Sequence, residues 1–168
     1  MTFEEMKNGV KPILQDTYNL SDEDVEAIIY NRDEDEFADV EQKLIGELGI
    51  PSLPSMDICC LTREGKEFTI TILTISEDTG EHLALLNFGN CCTDVTRANR
   101  AMDEYDQSLW ADWLTIENEV TTEEDMFTLS YTFQAKNSEE LRNAMQKVFD
   151  AMENLEFIDL LENIVQYF

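Results

Sequence analysis

The sequence predicts an α+β fold in a single domain over residues 1–168, and three observations predict it. Apolar residues recur at helical spacing through the first part of the chain, residues 1–50. From Met56 the spacing changes to the two-residue period of a sheet with one buried face. A hairpin pattern over 110–135 then leads into a long helix whose apolar seam repeats at intervals of four and three. The expected architecture is an antiparallel sheet of about five strands, a three-strand meander plus a hairpin, packed against helices. Residues 1–50 form a helical N-terminal part, 56–155 the core and 156–168 a C-terminal helix.

Phe3, Met6, Val10, Ile13 and Leu14 share one stripe and predict a helix over 3–17, which Asn19-Leu20-Ser21 ends. Ser21 followed three residues later by Asp24 is a capping-box start, and Asp22, Glu23 and Asp24 suit the positive end of a helix dipole. This second helix would turn Val25, Ile28 and Ile29 inward, with a turn over 31–36 after it. Phe37, Val40, Leu44 and Leu48 mark a third helix, stopped by Gly49, with Pro51 and Pro54 in a short linker.

Strands follow over 56–62 and 67–76, joined by the tight turn Arg63-Glu64-Gly65-Lys66. In the second, Phe68, Ile70 and Ile72 alternate with Thr69 and Thr71. Glu77-Asp78-Thr79-Gly80 supplies another turn, and 82–88 completes the meander. Thr93 can cap a helix carrying Val95, Ala98, Met102 and Tyr105. Residues 110–120 and 126–135 read as a hairpin around Thr121-Thr122-Glu123-Glu124. Its second strand alternates Phe127, Leu129, Tyr131 and Phe133 with Thr128, Ser130 and Thr132. Asn137, with Glu140 three residues on, opens the long helix of Leu141, Met145, Val148, Met152 and Leu155. The segment beyond is amphipathic, with Phe157, Leu161, Ile164 and Phe168 on one face.

Charge bounds the partners. The chain carries 37 Asp and Glu against 11 Lys and Arg, a formal net charge of -26. Bare nucleic acid and an anionic membrane face both need a basic surface, so neither is an expected partner. A basic protein partner, a cation or no partner at all stays open. With 43% hydrophobic residues and 10% aromatic, the chain has the apolar content of a folded domain. The acidic N-terminus lacks the basic and apolar regions of a signal peptide, and no apolar run reaches the ~20 residues of a membrane span, so a cytoplasmic location is expected.

The chemistry-bearing residues give little. Cys59-Cys60 and Cys91-Cys92 are adjacent pairs rather than the C-x₂₋₄-C of a zinc site, and neighbours on a strand point to opposite faces. Asp78-Thr79-Gly80 matches the core of an aspartic protease but has no second copy, and it suits a hairpin turn better. Asp33, Asp35 and Asp39 hint at a calcium loop. Counted from Asp33, however, the sixth residue is Ala38 and the twelfth Leu44, where an EF-hand needs Gly and Glu. His82 is the only histidine, and it reads as a surface or turn residue rather than a general base. There is no Gly-rich phosphate loop and no G-x-S-x-G elbow. The expectation is a protein without catalytic activity, cofactor or metal. Trp110 and Trp113 suit core or dimer contacts.

The densest charge runs from Asp22 to Glu41, with ten acids and one base, Arg32. A solvated helical face accounts for it most simply. The alternative is a docking surface for a cationic partner, with Asp33, Glu34, Asp35, Glu36, Asp39 and Glu41 as its partner-binding residues.

From Met56 onward the order is three antiparallel strands, a helix, two strands and a long helix, with helix before it. This order resembles the type III secretion chaperone-like fold, which includes the YbjN-type bacterial sensory transduction regulators. The resemblance covers Phe68 to Glu153. Its matching stretches are Thr93-Asp94-Val95-Thr96-Arg97-Ala98-Asn99-Arg100, then Trp113 to Ala135, then Ser138-Glu139-Glu140-Leu141 onward. It rests on element order rather than on a diagnostic motif, and it carries no catalytic residue. It implies a non-enzymatic acidic module, often dimeric, that acts by binding other proteins in a chaperone-like or regulatory role. A second expectation, from the acidic cluster, is a decoy or immunity protein that blocks the cationic site of a nuclease or DNA-binding protein.

Overall fold

A computed structural model describes residues 1–32, 53–61, 67–88, 115–117 and 127–153. The helices expected at 37–48 and 95–105, the turns at 63–66 and 121–124, Trp110, Trp113, Cys91, Cys92 and the segment 156–168 lie outside the described residues.

Helix α1 spans Phe3–Tyr18. The Thr2 hydroxyl accepts the Glu5 N–H at 3.2 Å and the Glu5 carboxylate accepts the Thr2 N–H at 2.7 Å, so a capping box holds its first turn. Met6, Val10, Ile13 and Leu14 form the buried stripe. Pro12 lies inside the helix and removes one donor, the one that would bond the carbonyl of exposed Asn8, where water can replace it. Asn19 ends the helix in the left-handed region at φ 53°. Helix α2, Asp22–Ile28, starts on a second capping box between Ser21 and Asp24. Lys7 reaches Glu4 at 3.2 Å and Glu26 at 3.0 Å, and Lys11 reaches Asp22 at 3.3 Å, which ties α1 to α2 along their solvent side.

The chain leaves α2 directly as strand β1, Ile29–Asn31. Here the structure corrects the sequence reading, which kept Ile29 on the helix and put Asn31 in a turn. Pairing of Ile29 with Ile58 and of Asn31 with Met56 captures three residues whose own pattern is too short to show a period. The five expected strands are joined by this sixth. They are β2 (Ser55–Leu61), β3 (Glu67–Ser76), β4 (Glu81–Phe88), β5 (Thr115–Glu117) and β6 (Phe127–Gln134). All pairs are antiparallel, in the order β1-β2-β3-β4-β6-β5, so the sheet is an open meander extended by a hairpin that joins through its second strand. A register shift between Thr74 and Ser76 bends β3 before the turn to β4.

One face of the sheet carries Met56, Ile58, Cys60, Phe68, Ile70, Ile72, Ala84, Leu86, Leu129, Tyr131 and Phe133, all buried. Against it lie α1 and helix α3, Ser138–Met152, which contributes Leu141, Ala144, Met145, Val148, Phe149 and Met152 to the same core. The result is a two-layer α+β domain. Asn137 caps α3 by accepting the Glu140 N–H at 2.9 Å. The Ser138 hydroxyl donates to the Glu5 carbonyl at 2.7 Å, and Gly9 lies beside Ser138 and Leu141, so the two helices meet closely at their first turns.

The opposite face is mixed. A row across it runs Tyr30, Asp57, Thr71, Leu85 and Ser130. Within it the Thr71 hydroxyl donates to Asp57 at 2.6 Å, and the Arg32 Nε lies 3.7 Å from the other Asp57 oxygen.

Candidate functional site

The described residues form one large apolar groove, of about 490 Å³. Four pieces of chain build it. Tyr18 and Leu20 come from the end of α1 and the turn after it, and Ile28 from the last turn of α2. Cys59, Cys60 and Leu61 close β2, and Glu67, Phe68 and Thr69 open β3. Alternation along β2 explains the lining: Cys60 points to the core and is buried, whereas Cys59 and Leu61 point out and are exposed. Leu61 is 47% exposed, an unusual position for a leucine at the lip of an apolar hollow.

Tyr18 is the pivot of the groove. Its ring meets Phe149 edge-on, with centroids 6.4 Å apart and planes at 81°. Its hydroxyl lies against the Leu61 backbone and the Cys60 thiol. Burial, first, and the neighbouring thiol raise the phenol well above its ordinary range. Burial likewise pushes the Cys60 thiol up to about 12, and its Sγ is 3.7 Å from the Ile58 carbonyl, which accepts from it. Cys59, although exposed, is also raised, by partial desolvation and then by the charges of Asp57 and Glu67. Neither thiol is therefore an activated nucleophile at neutral pH. The groove offers apolar surface and a few neutral polar atoms, with the Glu67 carboxylate at its rim.

A second hollow, of about 450 Å³, lies between Thr2, Phe3, Lys7, Glu26, Ile29 and Asn31. Its one cation, Lys7, is held by the two carboxylates of Glu4 and Glu26, which raise its pKa, and it sits 5.8 Å from the Phe3 ring centroid. The two carboxylates more than neutralise Lys7, so among the described residues the hollow presents no free cation to a ligand.

His82 overturns its sequence reading. It is 1% exposed, on the core face of β4, stacked on Phe133 with ring centroids 5.4 Å apart and planes at 9°. The sequence left the choice open because both parities of β4 are apolar: Leu83 and Leu85 compete with Ala84 and Leu86 for the inner face. The turn before it is as expected, with Gly80 at φ 70°.

The sequence-predicted partner residues Asp33, Glu34, Asp35, Glu36, Asp39 and Glu41 lie outside the described residues. Among the described residues no group of three or more His, Cys, Asp or Glu side chains is placed to hold a metal ion. Nor, among them, is any helix long and apolar enough to cross a membrane. The groove residues Tyr18, Leu20 and Leu61 were not singled out by the sequence. Their one visible signal is an apolar residue at an outward parity of β2. No family model, curated protein or solved structure matches the chain.

Proposed function

We propose that the chain is a non-enzymatic protein-binding module, with a chaperone-like or regulatory role, that takes an apolar segment of a partner protein into the Tyr18–Leu61 groove. The observation that carries this reading is the groove itself, an open apolar hollow with an exposed leucine at its lip and no activated nucleophile in its lining. Charge defines the occupant further. The Glu67 carboxylate at the rim and the net charge of -26 favour a segment whose apolar residues are flanked by Lys or Arg, and they speed its approach. The resemblance to the type III secretion chaperone-like fold supports the same reading, since it implies proteins that act by binding other proteins. The decoy reading rests on the acidic cluster alone.

Selection of random twelve-residue peptides against the protein tests the proposal. Peptides with an apolar cluster and flanking basic residues should be enriched. Their affinity should fall about tenfold or more in Leu61→Ser, the order expected for losing the burial of one leucine side chain. Leu61 is half exposed, so the variant should melt near the wild type. Binding that is unchanged in Leu61→Ser would refute the groove as the site.

A further inference from the structure

His82 sits where three parts of the domain are joined, and the protein-binding reading makes no use of it. Its Nδ1 is 2.7 Å from the Gly80 carbonyl. A carbonyl oxygen only accepts, so in the neutral ring the proton is on Nδ1 and Nε2 carries a lone pair. That Nε2 is buried and has no partner among the described residues. The same Gly80 carbonyl accepts the Ala135 N–H at 2.8 Å, which fastens the turn before β4 to the end of β6. Three residues further on, Ser138 begins α3 and holds α1 through the Glu5 carbonyl at 2.7 Å. The imidazole is thus at the corner where the sheet passes into its helical layer.

A second proton would have to go on Nε2, inside the core, as a donor with no acceptor. The Phe133 face attracts a cation, but it lies parallel to the imidazole and leaves an in-plane N–H unbonded. The charges around the corner give no relief. The Met1 ammonium acts on the ring and opposes further positive charge. Lys136 lies beside Gly80 and is also cationic. The Glu5 carboxylate accepts from the Thr2 N–H at 2.7 Å and that of Glu140 from the Lys136 N–H at 2.7 Å, so both serve as caps. Thr74 and Phe133, opposite His82 on β3 and β6, are uncharged, and Glu81 is on the other parity of β4.

We propose that His82 is an acid-operated latch: protonation at Nε2 releases the helical layer from the β4–β6 corner and uncovers core-facing apolar surface. Burial, the main cause, holds the folded imidazole below its ordinary value of 6.5, with the Gly80 hydrogen bond opposing in part. The open form, with a hydrated ring, binds the proton at about 6.5. More protons are bound open than closed, so the closed form is fully favoured above that value and loses ground as pH falls below it. For one proton the closed-to-open ratio drops by up to tenfold between pH 7.5 and 5.5.

The single histidine makes the test direct, because the ring gives one set of imidazole NMR signals. The expected spectrum is the Nδ1–H tautomer, titrating below 6.5. Amide exchange in α3 and β6, corrected for its intrinsic pH dependence, should show opening that rises by up to tenfold from pH 7.5 to 5.5. In His82→Phe and His82→Asn that rise should be absent, since carboxylates titrate lower. A ring that titrates at or above 6.5, or variants that keep the wild-type pH dependence, would overturn the latch. If both variants fail to fold, the wild-type ring titration and exchange decide the matter alone.

Discussion

Replacing Gly9 by Ala sets two effects of opposite sign against each other. In an ordinary helix the change stabilises, by about 1 kcal/mol, because glycine has the lower helix propensity. Here an added Cβ would lie 2.7 Å from the Ser138 carbonyl oxygen and 3.3 Å from a Leu141 methyl. The oxygen belongs to backbone at the first turn of α3, so it cannot rotate away as a side chain would. Relief requires lifting α3 from α1, which stretches the 2.7 Å bond from Ser138 to the Glu5 carbonyl. Overpacking costs about 1–3 kcal/mol and loss of that bond about 1 kcal/mol. Net destabilisation of about 2 kcal/mol follows, and with a urea m-value of roughly 2 kcal/mol/M the midpoint should fall by about 1 M. Asn8→Ala, one residue away on the exposed side, feels only the propensity term and should raise stability by about half a kcal/mol. If Gly9→Ala also raises the urea midpoint, the close approach of the two helices is wrong.

Two further outcomes are open to simple measurement. Thr2→Ala removes the hydroxyl half of the α1 capping box and should cost about 1 kcal/mol in a thermal or urea melt, with Asn137→Ala costing a similar amount at α3; a neutral result for both would contradict the caps. In a Cys91→Ser, Cys92→Ser background at pH 8, Ellman's reagent should modify exposed Cys59 slowly. Cys60 should react only on denaturation, since a thiol at about 12 is roughly 10⁻⁴ thiolate at that pH and is buried as well. Equal native reactivity of the two would exclude the alternation of β2.

Much of this architecture is legible because local and global signals agree. Ser21 with Asp24 and Asn137 with Glu140 mark helix starts that the backbone adopts, and the alternation from Phe68 to Ile72 and from Leu129 to Phe133 sets the buried face. The errors arise where the deciding partner is far away in sequence. Three residues at 29–31 become a strand only because Ile58 and Met56 are there to pair with them. His82 goes inward because the register against Thr74 and Phe133 fixes the parity of β4, and the local run His82-Leu83-Ala84-Leu85-Leu86 is apolar on both faces. The groove is a meeting of α1, α2, β2 and β3 ends, and no single segment contains it.

The bond between Ser138 and the Glu5 carbonyl joins groups 133 positions apart in the chain. A ribosome makes α1 first, yet α1 can complete its packing only after α3 has been made. At synthesis rates of about 5–20 residues per second, the apolar stripe of Met6, Val10, Ile13 and Leu14 waits roughly ten seconds for its partner. In the course of that wait the nascent chain gains most of its acidic residues, which repel other nascent copies of the same charge. Like-charge repulsion of this kind disfavours contact between the unfinished helices of neighbouring copies before the C-terminal partner of each arrives.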